Sequence, residues 1–214
     1  MTARPYVVKR MDDLKYFEND VAIPVRIPLG IRAFGINAYA ASAKGDNVIE
    51  EHDELGSGAG GHEELYVVIR GAASFVLDDE EIDAPAGTLV FVRERAVKRR
   101  ATAREADTTI LVVGGVPGKA FEPSPWESWF EALPHYQARD YGRAVEVLTR
   151  ALDEHPGNTN VLYNLACCEA LAGRTDEALA HLRSASEGDE RVGTWARDDP
   201  DLAALRDDPR FPFS

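Results

Sequence analysis

The stretch of sequence that decides the fold of the first half of the chain is Gly58-Ala-Gly-Gly-His-Glu-Glu-Leu-Tyr-Val-Val-Ile-Arg-Gly71. Residues 64–70 are mostly β-branched, aromatic and long apolar types, which favour a pleated and largely buried strand. Because side chains alternate between the faces of a strand, His62, Glu64 and Tyr66 are predicted to share one face. Gly71 permits a sharp turn into a second strand at residues 72–77. The stretch therefore predicts a β-hairpin with polar side chains on one face.

This pattern resembles the first motif of the cupin family, in which two histidines and a glutamate precede a strand that ends in glycine. Glu64 stands seven residues before Gly71, where cupins carry their metal-binding glutamate. The turn Pro85-Ala-Gly87 and the apolar run after it look like the second cupin motif, with Lys98 where the family has a histidine. The resemblance covers roughly residues 25–116. It implies an all-β jelly-roll barrel made of two sheets.

The metal ligands of the family are only partly present. Gly58 and Gly60 stand where cupins keep their paired histidines, so Glu64 is the one ligand left in strict register. His52 precedes the glycine-rich loop and His62 follows it, and we expect both to approach Glu64 at the barrel mouth. Two imidazoles and a carboxylate favour iron or a similar divalent ion. The expected cofactor is therefore either none or a single divalent metal: Fe, Mn, Ni or Zn.

A basic segment lies beyond the second motif. Its cationic residues are Arg93, Arg95, Lys98, Arg99, Arg100 and Arg104. One interpretation is a solvated strand face that pairs with nearby carboxylates, and the other is a set of side chains that enter the barrel and attract an anion. An inward Lys98 would offer a metal no lone pair, and it would instead pair with Glu64 or hold an anionic ligand. The predicted ligand-binding residues are then Glu64, Tyr66, Lys98 and Arg100.

Composition limits the class of protein and its partners. The 214 residues are 44% hydrophobic and 29% charged, with a formal net charge of −13. Such a charge disfavours nucleic acid and anionic membranes as partners. Neither a signal peptide nor a membrane span is evident, so we expect a cytoplasmic protein. The two cysteines, Cys167 and Cys168, are adjacent in an apolar helical pattern and are expected to be buried, inert thiols.

The second half of the chain changes to helical periodicity after a proline-rich segment. We place a barrel at residues 1–116, a linker at 117–125 and a helical domain at 126–214. Ala144 and Ala178 lie 34 residues apart, as do Leu148 and Leu182. This is the period of a tetratricopeptide repeat, which the region resembles, and its end looks like a capping segment. Pro134 is expected to kink or end the first helix.

Three functions remain open at this point. The first is a cupin-type module, without catalysis, that binds or senses a small anionic molecule and carries a helical tail for a protein partner. The second is a metal-dependent cupin enzyme, an oxygenase, isomerase or hydrolase, with His52, His62 and Glu64 as ligands. The third is a structural adaptor. A homodimer is expected in each case, because so short a helical tail cannot bury its own apolar face.

Overall fold

The computed structural model describes residues 6–14, 21–55 and 59–213. The chain divides into two compact units, Met1–Pro123 and Ser124–Ser214. Strands dominate the first unit and helices the second, which confirms the predicted fold classes. The division falls inside the segment predicted as a linker. Part of that segment nevertheless packs on the first unit, because the Phe121 ring lies 5.5 Å from the His62 ring.

Two antiparallel sheets make up the first unit. In the described residues the strands are β1 (Ala22–Ile23), β2 (Gly35–Ala41), β3 (Asn47–His52), β4 (Glu63–Arg70), β5 (Ala72–Leu77), β6 (Glu80–Pro85), β7 (Leu89–Val92), β8 (Arg99–Ala103) and β9 (Thr108–Gly115). One sheet has the order β1-β2-β9-β4-β7 and the other β3-β8-β5-β6. Strands β2 to β9 thus form two four-stranded sheets with the crossovers of a double-sheet jelly roll, and β1 extends one edge. A short helix, α1 (Arg26–Leu29), lies between β1 and β2.

The β4–β5 hairpin has the geometry predicted from its glycine. Gly71 has a φ of +68°, and a Cβ at this position would lie 2.6 Å from Thr108 Oγ1. Only glycine meets both demands without strain. Along β4, Tyr66 and Val68 are buried between the sheets while Ile69 is exposed, so the predicted alternation is present.

The space between the sheets is filled by apolar side chains from both of them. The core residues are Ala41, Val48, Ile49, Tyr66, Val68, Ala73, Phe75, Ala84, Val90, Val92, Ala101, Ala103, Ile110 and Val112. Tyr66 lies at the end of this core nearest the start of β4, and its hydroxyl faces a group of polar side chains. The fold therefore places a polar cluster at one end of an otherwise apolar interior.

The second unit is built from helices joined by short turns. These are α2 (Ser128–Gln137), α3 (Tyr141–Glu154), α4 (Thr159–Leu171), α5 (Thr175–Gly188) and α6 (Val192–Asp198), with 3-10 turns at Pro125–Glu127 and Pro200–Leu205. Leu148, Leu165 and Leu182 are buried in its core. Of the two outcomes predicted at Pro134, a kink or an end, the helix does not end there, because α2 continues to Gln137. No helix in the described ranges has both the length and the apolar character needed to cross a bilayer.

Candidate ligand site between the sheets

Three strands from both sheets bring polar side chains together at one end of the barrel. His52, at the end of β3, is the register partner of Arg99, at the start of β8. Glu64 and Tyr66 come from the inner face of β4 in the opposite sheet. The resulting cluster joins the two sheets where the apolar core ends.

Arg99 is the centre of the cluster and is fully buried. Its Nη2 and Nε atoms donate to Glu64 Oε2 at 2.9 and 3.2 Å, and Nε also lies 3.3 Å from the Tyr66 hydroxyl. Its Nη1 donates to the carbonyl oxygen of Val97 at 2.8 Å. The guanidinium is therefore held on one side by backbone and on the other by a carboxylate, as a buried charge requires.

Glu64 is kept ionised by its neighbours. The Tyr66 hydroxyl donates to Glu64 Oε2 at 2.5 Å. Burial alone would raise the pKa of Glu64, but the hydrogen bonds from His52 and Tyr66 and the charge of Arg99 lower it below its usual value. Burial and the adjacent carboxylate raise the pKa of Tyr66, so its hydroxyl stays protonated. Glu64 acts as an acceptor in this site and Tyr66 as a donor.

His52 stands at the solvent side of the cluster, with 36% of its side chain exposed. Its Nδ1 lies 2.7 Å from the carbonyl oxygen of Glu50, which can only accept, so Nδ1 carries a proton. The other nitrogen, Nε2, faces Glu64 Oε2 at 3.6 Å and the Tyr66 hydroxyl at 3.5 Å. Burial lowers the pKa of His52, but the bonds to Glu64 and Glu50 outweigh it and raise the pKa above the usual value.

His62 does not join the cluster, which corrects the predicted set of His52, His62 and Glu64. Its ring is buried against Phe121 and lies over Gly60, where a Cβ would be 2.2 Å from the ring. Only its backbone reaches the site, through a hydrogen bond from the His62 N–H to Glu54 Oε2 at 3.0 Å. Glu54 takes the place expected for His62. Gly58 lies outside the described residues.

The donor set does not fit a divalent metal in this arrangement. Single ligand atoms of His52, Glu54 and Glu64 lie within 4.8 Å of one another, which is close enough to consider an ion. Arg99, however, already directs two N–H groups at Glu64 and places a permanent positive charge beside it. Glu54 is likewise engaged by a backbone N–H. The Oε2 atoms of both carboxylates are therefore already engaged by donors of the protein, and a fixed cation lies beside Glu64.

Lys98 and Arg100 lie outside the barrel, which corrects their predicted inward positions. Both are exposed, and the side chain of Arg100 forms an ion pair with Glu51 at 3.7 Å. Arg104 also pairs with a carboxylate, that of Asp83. Exposed pairs of this kind contribute little to stability, and they agree with a solvated basic face. The cation that enters the barrel is Arg99.

Sequence reasoning missed Arg99 and Glu54. Arg99 shares the inner face of β8 with the small buried residues Ala101 and Ala103, whereas Arg100 points outward. The alternation of β8, followed back from Ala103 and Ala101, would have predicted that Arg99 points inward. Glu54 follows the end of β3 and carried no comparable signal.

The first unit also has a surface pocket, and the second unit has a group of polar side chains. A surface pocket of about 320 Å³ lies at the other end of β4, beside Ile69 and Arg70. In the helical unit, Cys167, Asp199 and Asp201 lie close together. Both cysteines are buried and free, as predicted, and burial raises the pKa of Cys168 to about 12.

The strand order defines the first unit as a double-sheet jelly roll, and the second unit is a helical domain. Residues 135–207 match the family model described as tetratricopeptide repeat. No curated protein matches the sequence.

Several solved structures are similar to the barrel. A cupin protein from Bacteroides fragilis is 16% identical with a TM-score of 0.42, over 57% of this chain and 93% of that chain. KdgF from a Halomonas species is 14% identical with a TM-score of 0.34, over 43% and 72% of the two chains. A sugar phosphate isomerase from a cupin superfamily, from Silicibacter pomeroyi, is 20% identical with a TM-score of 0.36, over 44% of this chain and 57% of its own length.

Proposed function

We propose that the barrel is a non-catalytic binding module for a small polar molecule that presents hydrogen-bond donors or a positive charge. The observation that carries this proposal is the Arg99–Glu64–Tyr66 network, in which the central cation is already neutralised by the protein. The cluster members that retain contact with solvent are Glu64 and His52, with side chains 12% and 36% exposed. Glu64 offers only acceptor oxygens, and Nε2 of His52 is also an acceptor while His52 is neutral.

The charge of the site does not favour the anionic ligand that was predicted from the sequence. That prediction needed Lys98 and Arg100 inside the barrel, and both are exposed. The cluster instead contains two carboxyl groups, those of Glu54 and Glu64, against one guanidinium. While His52 is neutral, an anion placed here would face an excess of negative charge in a partly buried site, where electrostatic repulsion is poorly screened.

A panel of chemically defined probes tests the proposal. Neutral sugars, amino sugars, diamines, sugar phosphates and dicarboxylates would be compared by thermal shift and by isothermal titration on the full chain. We expect stabilisation by amino sugars or diamines, lost in His52→Ala and kept in Arg100→Ala, the control on the outer face. Binding restricted to phosphates or carboxylates, and abolished by Lys98→Ala or Arg100→Ala, would contradict the proposal.

A metal-dependent enzyme is the second candidate, because His52, Glu54 and Glu64 place three donor groups within 4.8 Å of one another. This candidate requires Arg99 to leave Glu64, at the cost of a buried, unpaired guanidinium. Elemental analysis of the purified protein separates the two candidates. Stoichiometric iron, manganese, nickel or zinc that is lost in His52→Ala would favour the enzyme.

We also propose that the chain forms a homodimer through the outer face of β4 and β7. Leu65 pairs with Phe91 and Val67 with Leu89 on this face. Leu89 and Phe91 are 65% and 48% exposed, and β7 is an edge strand. A solvated sheet face is normally polar, and an apolar face beside an open edge is typical of an interface. A two-fold axis would let the same patch serve both copies.

Sedimentation at micromolar concentration tests the dimer. We expect a species twice the 23.5 kDa chain mass, reduced to monomer by Leu89→Glu. Val8→Glu is the matched control, because Val8 is 81% exposed and lies in an N-terminal coil segment. A wild-type protein that sediments only at the chain mass would exclude this interface.

A protein partner for the helical unit is the last part of the proposal. Its support is the repeat match at residues 135–207, since such repeats stack into surfaces used for binding. The adaptor hypothesis keeps this partner and assigns the barrel a structural role only. A bound probe at His52 would therefore speak against a pure adaptor.

A further inference from the structure

We propose that His52, Glu54 and Glu64 form a cation site whose resident cation is the Arg99 guanidinium, and that removing this side chain turns the cluster into a divalent-metal site. The proposal concerns the balance of charge inside the barrel. It does not depend on which small molecule the barrel binds.

The three donors already have the composition of a metal site. Their ligand atoms lie within 4.8 Å of one another, and they comprise one imidazole and two carboxylates. His52 directs Nε2 at the cluster because its Nδ1 is held by the Glu50 carbonyl. A histidine fixed through its second nitrogen by a backbone carbonyl is a common arrangement among metal ligands. Imidazole and carboxylate together suit zinc and other divalent ions.

Arg99 neutralises Glu64, as such an ion would. Two of its N–H groups converge on Glu64 Oε2, and the side chain is fully buried. Its Nη1 is anchored to the Val97 carbonyl, so the guanidinium is fixed in place. A second cation a few Å from this charge would be repelled in a site that water screens poorly. Because arginine does not lose its proton in proteins, the exclusion holds across the accessible pH range.

Three forms of the full chain test the idea with Zn²⁺ alone as the probe: wild type, Arg99→Met and Arg99→Lys. Met retains much of the apolar stem and has no charge, whereas Lys retains the charge. We expect Arg99→Met to bind one Zn²⁺ per chain at least 100-fold more tightly than wild type, by isothermal titration and by elemental analysis after dialysis. Arg99→Lys should resemble wild type. His52→Ala in the Arg99→Met background should abolish the added binding, which separates this site from surface histidines.

Loss of Arg99 leaves Glu64 without its cation, so the variant could unfold in metal-free buffer. In that case the readout becomes Zn²⁺-dependent refolding of β structure by far-ultraviolet circular dichroism, since metal binding and folding are coupled. A folded Arg99→Met protein with wild-type affinity would overturn the proposal, and so would an unfolded one that zinc does not rescue. Stoichiometric zinc on the wild type that disappears in His52→Ala would also overturn it. None of these outcomes depends on the probe panel above, so the two proposals can fail separately.

Discussion

Replacing Glu64 by Gln should strongly destabilise the barrel. The substitution removes the negative charge that faces the Arg99 guanidinium, and Arg99 is fully buried. Removing one partner of a buried ion pair costs about 3–5 kcal/mol. The Gln oxygen can still accept one hydrogen bond, and 12% of the Glu64 side chain is exposed, so we expect the lower end, about 3 kcal/mol. That loss corresponds to about a hundredfold change in the unfolding constant.

The positions of the tryptophans make this loss measurable in the barrel alone. Trp126, Trp129 and Trp195 all belong to the second unit, so tryptophan fluorescence reports the helices. Barrel unfolding would be followed in urea by hydrogen-exchange mass spectrometry of peptides from β4 and β8. With an m-value of about 1–3 kcal/mol/M, the barrel midpoint should fall by about 1–3 M. The tryptophan transition should stay in place.

Two controls complete this experiment. Glu80→Gln removes a carboxylate from an exposed position on β6 and should shift stability by less than about 0.5 kcal/mol. In a double-mutant cycle, Glu64→Gln with Arg99→Met should cost clearly less than the two single changes added together. Additive costs, or a Glu64→Gln barrel as stable as wild type, would refute the argument that Glu64 balances the buried charge.

Three further predictions concern the same two units. Tyr66→Phe removes the donor to Glu64 Oε2 and should cost about 1.5–3 kcal/mol in the barrel transition. Tyr6→Phe, at a position that is 62% exposed, is the control, and an unchanged barrel midpoint in Tyr66→Phe would contradict the prediction. The pKa of Glu64 is lowered on folding, so its contribution to stability is present above its unfolded pKa and should be lost as pH falls through its folded pKa. The pKa of His52 is raised on folding, so its contribution to stability is full below about pH 6.5 and should be lost as pH rises through its folded pKa. Urea midpoints of the barrel from pH 3 to 9 test both signs, and His52→Ala should flatten the arm above pH 6.5. In the helical unit, Tyr136→Phe leaves the half-buried carboxylate of Asp201 without its hydroxyl donor and should lower the tryptophan-reported stability by about 1–3 kcal/mol, with no shift in the barrel.

The features that the sequence predicted well are those with local causes. The alternation of β4 and the turn at Gly71 follow from residue types within a dozen positions, and both are present in the structure. The 34-residue repeat is a comparison of the chain with itself, and the helices fall where it places them. These signals do not depend on how distant strands meet.

The site was harder to predict, because it depends on which residues of each strand point inward. A local pattern does not show this for the next strand once a loop has intervened. Between β7 and β8 a turn separates two alternating strands, and a slip of one residue exchanges inward and outward side chains. Lys98 was predicted inward from its place in the second cupin motif, where the family has a histidine, and Arg99 is the residue that enters. In β3 the register shifts between Ile49 and His52, so side chains do not alternate strictly there.

The cluster forms because the inward-pointing residue at the start of β8 is an arginine. Arg99 lies opposite His52 in the β3–β8 ladder and on the same inner face as Ala101 and Ala103. An arginine stem is long enough to carry its charge across to Glu64 on the facing sheet, and the two alanines leave the interior beside it uncrowded. A fully buried guanidinium requires hydrogen-bond acceptors. They are carbonyl oxygens from the segment that precedes β8 and a carboxylate from β4. One inward arginine thereby commits Glu64 to an internal pair, leaves His52 as the solvent-facing group, and sets the chemistry of any ligand that enters this end of the barrel.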